Sequence, residues 1–493
     1  MKKFKLFIGN EWVESSDHKY FTSFNPATGE AIAELATATV EDVDAACTSA
    51  RLAFHNVWEG TDPDKRAELM LKVATIMKRR EKELAKYEAM DTGKPISETI
   101  SCDIPITIEA FEYFARLAIH VQGHVFPLKR AGGSDLFDFA TYEPYGVVAV
   151  ISPYNYPIHL LARSLCPALA AGNTTICKAS SLTPITTSIL GEIILEAGFP
   201  PGVVNIISGS GKVAGEALAA NKEVDIIAFT GSEEVGRRLI EISARSPLIK
   251  KTLLELGGKG PAIVAPDCNM DVAVSATVLG FCYNQGEVCC AATRLYLHED
   301  IYDLFLEKLV AAVNNLRMGD ILDPRTQLGS LISREHLDRV DGYVKEAINT
   351  GARLLCGGER YITPPCDKGN WYRPTILDNV PENARCNREE IFGPVLVVHK
   401  FRDLDDAIRQ ANDTNFGLGA NIFTQNFRIA HTAGRKLNAG SVWVNWPNDS
   451  KMSTPFGGNK NSGLGRDYGF IGLHEYLRVK NNLWNMSDGL NYY

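Results

Sequence analysis

"YGVVAVISPYNYPIHLLARSLCPALAAGNTTICKAS", Tyr145–Ser180, carries the fold in miniature. It opens on "GVVAVIS", a run with no polar alternation, which suits a strand buried on both faces. Pro153 and Pro157 frame a turn. The helical stretch "IHLLARSLCPALAAG" follows and ends at a glycine, and the chain extends again in "TTICKAS". Strand, turn, helix, strand is a βαβ unit with parallel strands. The rhythm continues downstream with a helix from about Pro184 to Ala197, the strand "VVNIISG", another helix, the strand "VDIIAFTG" and a helix opening at "SEEVG". It resumes nearer the C-terminus as "VLVVHKF", "LDDAIRQAND", "GANIFT", a helix around Ala430–Leu437 and "GSVWVNW". Two α/β units with covered parallel sheets are expected.

Outside them, apolar residues at three- to four-residue spacing predict one amphipathic helix over Asp64–Met90, stopped by "DTGKP". "DLFDFATYEPY" and "LHEYLRVKNNLWN" alternate like exposed strands and belong to neither unit. They are expected to form a shared hairpin or a subunit contact.

With 493 residues the chain exceeds one hydrophobic core. Its net charge of −8, with no basic run, argues against nucleic acid as a partner. The N-terminal apolar stretch is too short for a signal peptide, and no run is long enough to span a bilayer. The eleven scattered cysteines fit a reduced, cytoplasmic protein rather than a disulfide framework.

Four stretches carry chemically suggestive residues. "NQGEVCCAATR", Asn284–Arg294, sets two cysteines beside Glu287; the plainer reading is two small core residues. "LLELGGKGP", Leu253–Pro261, places Glu255 inside an apolar strand. It is either a surface acid on an edge strand or a buried base with a raised pKa. "ISPYNYP", Ile151–Pro157, holds Asn155 at a strand's carboxyl end, where ligands gather in open α/β sheets. Asparagine is also common in turns for backbone reasons. "FTGSEEVG", Phe229–Gly236, has the strand–glycine–helix layout of a phosphate site, although glycine–serine is also a common cap. His120 and His124 have metal-ligand spacing, but Gly123 disfavours a helix there and no third ligand is evident, so no metal is expected.

In this order the stretches resemble the NAD(P)-dependent aldehyde dehydrogenase superfamily. The resemblance runs from "IGNEWVES" and "NPATGE" through "PALAAGNT", "PPGVVNIISGSG", "FTGS", "LELGGK", "NQGEVC" and "EEIFGPV" to "PFGGNKNSGLGRDYG". It implies an α/β aldehyde-dehydrogenase-like fold in three parts. These are a Rossmann-like cofactor domain over 1–124 and 146–255, a catalytic domain over 256–450, and a β oligomerisation ribbon from 125–145 and 474–493. A homodimer or homotetramer is implied.

The resemblance also assigns roles. Gly286, Glu287, Val288 and Cys289 fill the family's glycine–glutamine–x–cysteine motif, which makes Cys289 the nucleophile and Cys290 its neighbour. Asn155 would hold the oxyanion, and Glu255 would activate the hydrolytic water. Lys178 would meet the adenosine ribose and Ser232 the pyrophosphate, with Glu390 and Phe392 at the nicotinamide ribose and ring. Ile151, Pro153, Tyr154, Gly211, Gly231 and Leu256 complete the implied cofactor contacts.

Two positions depart from the family pattern. Ser181 in "KASS" replaces the glutamate that grips the adenosine ribose in NAD-preferring members; a serine does not repel a 2′-phosphate, so NADP is expected to be accepted alongside NAD. Glu287 stands where glutamine is more usual. Aimed at the thiol it would slow attack; aimed elsewhere it is structural. Tyr156, Trp446 and Phe456 are expected to line the substrate tunnel. Betaine aldehyde, aminoaldehydes, semialdehydes and aromatic aldehydes all remain open as substrates, as does a CoA-acylating variant or a catalytically silent relative.

Overall fold

In a computed structural model, the structure describes residues 1–128, 135–448 and 450–487. Parts of the expected ribbon (129–134 and 488–493) and residue 449 lie outside the described residues.

The apolar strands read from the sequence form two large sheets. In the first, an eight-stranded sheet, the parallel core consists of Val147–Ile151, Thr174–Lys178, Val204–Ile207, Ile226–Thr230 and Lys251–Glu255. Their spatial order, numbered along the chain, is 3-2-1-4-5. The order therefore reverses between Val147–Ile151 and Ile226–Thr230, and a crevice opens beyond the carboxyl ends there. Register aligns those ends: Ile151 sits opposite Lys178 and Phe229, and Thr230 opposite Glu255.

Leu6–Ile8 and Glu11–Val13 extend one edge antiparallel, and Gly463–Leu464 covers the other by pairing with Leu254 and Glu255. The strand of Glu255 is thus interior, and the surface-acid reading of this residue fails.

The helix Pro157–Ala171 shows why the opening stretch folds as it does. Pro157 occupies the first turn, where its missing N–H costs nothing, and Gly172 ends the helix in the left-handed region (φ 97°). Nearly every side chain between them is buried, as expected of a helix apolar on all sides. The segment Asp64–Met90 departs from expectation by forming two helices, Pro63–Arg79 and Glu81–Thr92. Arg80 breaks the run at φ −100°, ψ 11°, and Gly93 stops the second helix at φ 79°. The apolar rhythm is the same on both sides of Arg80, so periodicity could not reveal the break.

The second sheet runs Arg353–Cys356, Thr375–Asp378, Val395–Phe401, Ala292–His298, Gly260–Val264, Gly419–Phe423 and Ser441–Val444, parallel except at the Arg353–Cys356 edge. The two unplaced segments pair with each other: Leu136–Pro144 lies antiparallel to Leu477–Asn485 and to His124–Phe126. All eleven cysteines are unpaired. Among the described residues, no helix is long and apolar enough to cross a membrane, and no three potential metal ligands cluster.

Candidate active site

Cys289 sits where two cavities meet. On one side is a cleft of about 500 Å³ over the carboxyl ends of the first sheet; on the other is a chamber of about 580 Å³ walled by aromatic rings. Cys289 lines both.

The loop that carries Cys289 follows the helix Met270–Cys282. Its backbone enters the left-handed region three times in succession, at Asn284 (φ 48°), Gln285 (φ 46°) and Gly286 (φ 75°). Two of these are not glycine, so surrounding bonds must hold them there. Glu98 accepts from the Asn284 N–H at 3.0 Å, and the Asn284 amide donates to the carbonyls of Asn155 (3.1 Å) and Glu287 (3.0 Å). A side chain at Gly258 would collide with the Cys289 carbonyl, which explains the glycine in "LELGGK".

Asn155 is 4% exposed. Its amide donates to the Glu287 carbonyl at 2.8 Å, and its own carbonyl accepts from Lys94 Nζ at 2.7 Å. Lys94 is fully buried, paired with Asp103 at 2.7 Å and lying 3.7 Å from the centroid of the Tyr156 ring. Removing one partner of such a pair costs about 3–5 kcal/mol, so this support is rigid.

Glu255 is 6% exposed, and its Oε2 has no hydrogen-bond partner among the described residues. Burial, then repulsion from Asp467, pushes its carboxyl well above the ordinary range. Arg163 partly offsets this charge; its Nε lies 2.8 Å from Asp467, and its Nη2 donates to Thr230 Oγ1 at 2.9 Å.

The interaction between the two neighbouring sulfurs, ahead of burial, raises the Cys289 thiol and lowers that of Cys290. Access separates them. Cys290 is 8% exposed and reaches only the aromatic chamber, whereas Cys289 is half-buried and reaches both cavities.

Glu287 does not bond the thiol. It accepts from the Ile332 N–H at 3.0 Å and from Gln285 Nε2 at 3.1 Å, and His336 Nε2 lies 3.5 Å away. Burial raises its pKa to about 8.

Every residue expected at the cofactor lines the cleft: Ile151, Pro153, Tyr154, Lys178, Ser181, Gly211, Gly231, Ser232, Leu256, Glu390 and Phe392. Their chemistry fits a dinucleotide. Ser232, accepting from the Val235 N–H, caps the helix Glu233–Ala244 and lines the cleft, which sets the helix's N-terminal end beside it, as an anionic diphosphate favours. Lys178, buried, donates to the Ala179 carbonyl at 3.0 Å, and burial lowers its pKa to about 8. Glu390 accepts from the Gly258 N–H at 2.9 Å and is raised to about 7 by burial.

Tyr156, Trp446 and Phe456 all line the other chamber. Cys102, His159, Arg163, Tyr283 and Tyr468 join them without having been anticipated, as do Ile332, Glu335, His336 and Arg339 in the cleft. These residues come from remote helices and loops with no local motif; only the alternation of helix and strand, extended through 330–350, could have pointed to a helix end there.

A thiol reached from one side by a cleft over the ends of a parallel sheet and from the other by an aromatic-walled chamber suits an oxidoreductase that brings two reactants together at one sulfur. The profile of the Aldehyde dehydrogenase family matches residues 12–482, and the chain belongs to that family. DhaS of Bacillus subtilis (strain 168) is 40% identical over 98% of this chain and 96% of its own length. The mitochondrial aldehyde dehydrogenase of Homo sapiens is 38% identical over 97% and 91%. Among solved structures, the NAD+ complex of the Bacillus cereus aldehyde dehydrogenase superposes with a TM-score of 0.95 at 36% identity, covering 99% of this chain and 97% of that one. The protein is an oxidoreductase that acts on aldehydes, in a family that uses NAD or NADP.

Proposed function

We propose that the protein oxidises an aromatic aldehyde to its carboxylic acid through a covalent intermediate on Cys289. The observation that carries this reading is the position of Cys289 between the two cavities, with Asn155 beside its loop and Glu255 across the cleft. The Cys289 thiol gives its proton to solvent, and the thiolate sulfur attacks the aldehyde carbon. The second N–H of the Asn155 amide, with the Cys289 backbone N–H, stabilises the oxyanion of the thiohemiacetal. Bound in the cleft, the nicotinamide supplies the acceptor for the hydride released as that carbon becomes a thioester. Glu255, once ionised, takes a proton from water, and the hydroxyl adds to the thioester carbon. Collapse breaks the carbon–sulfur bond, releasing the acid and freeing the Cys289 thiolate, and Glu255 passes the proton it took to solvent.

Lys178 would hold the adenosine ribose, the helix end at Ser232 the diphosphate, and Glu390 the other ribose. With Ser181 in place of an acid, NADP is accepted and preferred.

The aromatic reading of the substrate rests on the chamber walls, Tyr156, Tyr283, Phe456 and Tyr468 among them. Lys94 already lies on the Tyr156 ring and Arg163 over that of Phe456 at 5.6 Å, which weakens both rings as sites for a second cation. Quaternary and amino aldehydes are therefore disfavoured. We further read the chain as a cofactor domain (1–124 and 146–255), a catalytic domain (256–450) and a ribbon through which copies associate as a dimer or tetramer in the cytoplasm.

The test is a panel of phenylacetaldehyde, betaine aldehyde, an aminoaldehyde and succinic semialdehyde with NAD+ and NADP+, with and without CoA, using Cys289→Ala as the control. Phenylacetaldehyde is expected to give the highest kcat/KM without CoA. Turnover that requires CoA, or persists in Cys289→Ala, would overturn the mechanism.

A further inference from the structure

Three loops build the site: 153–155 with Asn155, 287–289 with the nucleophile, and 390–392 over the cofactor cleft. They come from distant parts of the chain, yet one side chain touches all three. His336, in the first turn of the helix Arg334–Asn349, is 9% exposed and lies at the cleft wall. Its Nε2 donates to the Phe392 carbonyl at 2.6 Å; a carbonyl can only accept, so this nitrogen carries the proton. The same nitrogen lies 3.5 Å from Glu287 Oε1. Its ring meets those of Tyr154 (6.4 Å, 64°) and Phe392 (6.3 Å, 66°) edge-on, and these two rings meet each other at 5.8 Å and 84°.

The contact with Phe392 falls where the backbone needs support. Phe392 has φ 60°, a left-handed conformation that a bulky residue avoids unless held. From the same helix, Arg339 Nη2 donates to the Ile391 carbonyl at 3.2 Å. The nucleophile and cofactor loops are also in direct contact: a side chain at Gly286 would collide with the backbone of Gly393. On the nucleophile side, Glu287 is tied through the Ile332 N–H to the segment that leads into the helix of His336.

We infer that His336 is a positioning residue that, with Glu287, locks the 390–392 turn to the nucleophile loop, so that cofactor and thiol are held in mutual register. This rests on the reading that Glu390 and Phe392 grip the cofactor. Burial lowers the His336 pKa to about 4, which keeps the ring neutral with a single N–H for the Phe392 carbonyl. Glutamate in place of glutamine at 287 thereby has a role: its two oxygens accept from Ile332 and Gln285 while facing the imidazole N–H.

The test compares His336→Ala, His336→Gln, His336→Asn, Glu287→Ala and the His336→Ala/Glu287→Ala double variant. For each, cofactor KM and kcat are measured, with the rate of the first-turnover burst of reduced cofactor. His336→Ala is expected to raise cofactor KM and slow the burst, each by about tenfold or more, as for a displaced reacting group. His336→Gln, whose amide can reach the Phe392 carbonyl, is expected to return both to within about threefold, and His336→Asn, whose amide falls short, is not. If His336→Ala does not fold, the Gln and Asn pair decides alone. The double variant is expected to be no worse than the worse single one, because both remove one linkage. Equal behaviour of Gln and Asn, or effects that multiply in the double variant, would overturn the inference. Glu390→Gln separates the two readings. If it raises cofactor KM while His336→Ala does not, this inference alone fails; if it leaves KM unchanged, both fall.

Discussion

The two cavities that share Cys289 are built differently. The cleft proposed for the cofactor stands on the ends of parallel strands. Its residues follow one another in short motifs, and the register that sets Ile151 opposite Lys178 and Phe229 fixes their spacing. The aromatic chamber has no such floor. Its walls come from Cys102 near a helix start, Tyr156 and His159 on a second helix, Tyr283 on a strained turn, and Trp446, Phe456 and Tyr468 on C-terminal loops. Strand ends conserve geometry by backbone hydrogen bonds, so chemistry common to a family can reside there. Loop-built walls are free to vary, and on the proposed reading substrate choice resides with them. This contrast can be broken experimentally, because substitutions on the cleft side should damage any substrate's turnover, whereas those on the chamber side should change which substrate is used.

The largest effect is expected from Glu255→Gln on the cleft side. Steady-state turnover should fall about 10²–10⁴-fold, while a stoichiometric burst of reduced cofactor persists, because only thioester hydrolysis needs the base. The raised pKa of Glu255 has a second consequence. The carboxyl must ionise to act, so native turnover limited by hydrolysis should still be rising with pH above the ordinary carboxylate range, and the Gln variant should lose that rise. Loss of the burst together with turnover would show that Glu255 acts before hydride transfer.

Asn155→Ala should cost about 10²–10³-fold in kcat, the usual price of one oxyanion donor, and it should slow the burst itself. That distinguishes it from Glu255→Gln in a single stopped-flow experiment. The loss should be similar for every aldehyde in the panel. A loss confined to one aldehyde would move Asn155 to the chamber side of the comparison.

Legibility in the sequence divides along the same line. Strand runs such as "GVVAVIS" and "VDIIAFTG" announced the first sheet, and their terminal residues fall in the cleft because the carboxyl ends of parallel strands share an edge. The burial of Glu255 could not be read locally. It depends on Gly463–Leu464, far along the chain, covering a strand that would otherwise be an edge. His336 gave no signal at all, since an imidazole in a helical first turn resembles any surface histidine until three remote loops close around it. Tyr283 and Tyr468 were hidden for the same reason. The break at Arg80 shows the converse limit: unchanged periodicity concealed a change of direction.

A smaller effect is expected at the far end of the cleft. Ser181→Glu places a carboxylate where the 2′-phosphate of NADP would lie, so kcat/KM with NADP+ should fall about tenfold or more through like-charge repulsion, with NAD+ little changed. Equal loss with both cofactors would mean that Ser181 does not face the adenosine ribose, and the preference for NADP would lose its basis.

The smallest effect belongs to Cys290→Ala, and it bears most directly on the pair of cysteines. The Cys290 sulfur, favouring the protonated Cys289 thiol, raises its pKa, so removing that sulfur should lower the Cys289 pKa and leave more thiolate at a given pH. The rate at neutral pH should remain within about threefold of native, because a more abundant thiolate is also a weaker nucleophile. The ascending limb of the burst rate against pH should move to lower pH, and alkylation by iodoacetamide, measured across the same range, should shift with it. The two readouts separate the cysteines: if Cys290 were the attacking sulfur, its alanine variant would be inactive at every pH while Cys289 still alkylated. Position argues for the first outcome, since Cys290 faces the chamber alone and only Cys289 can be reached from both sides at once.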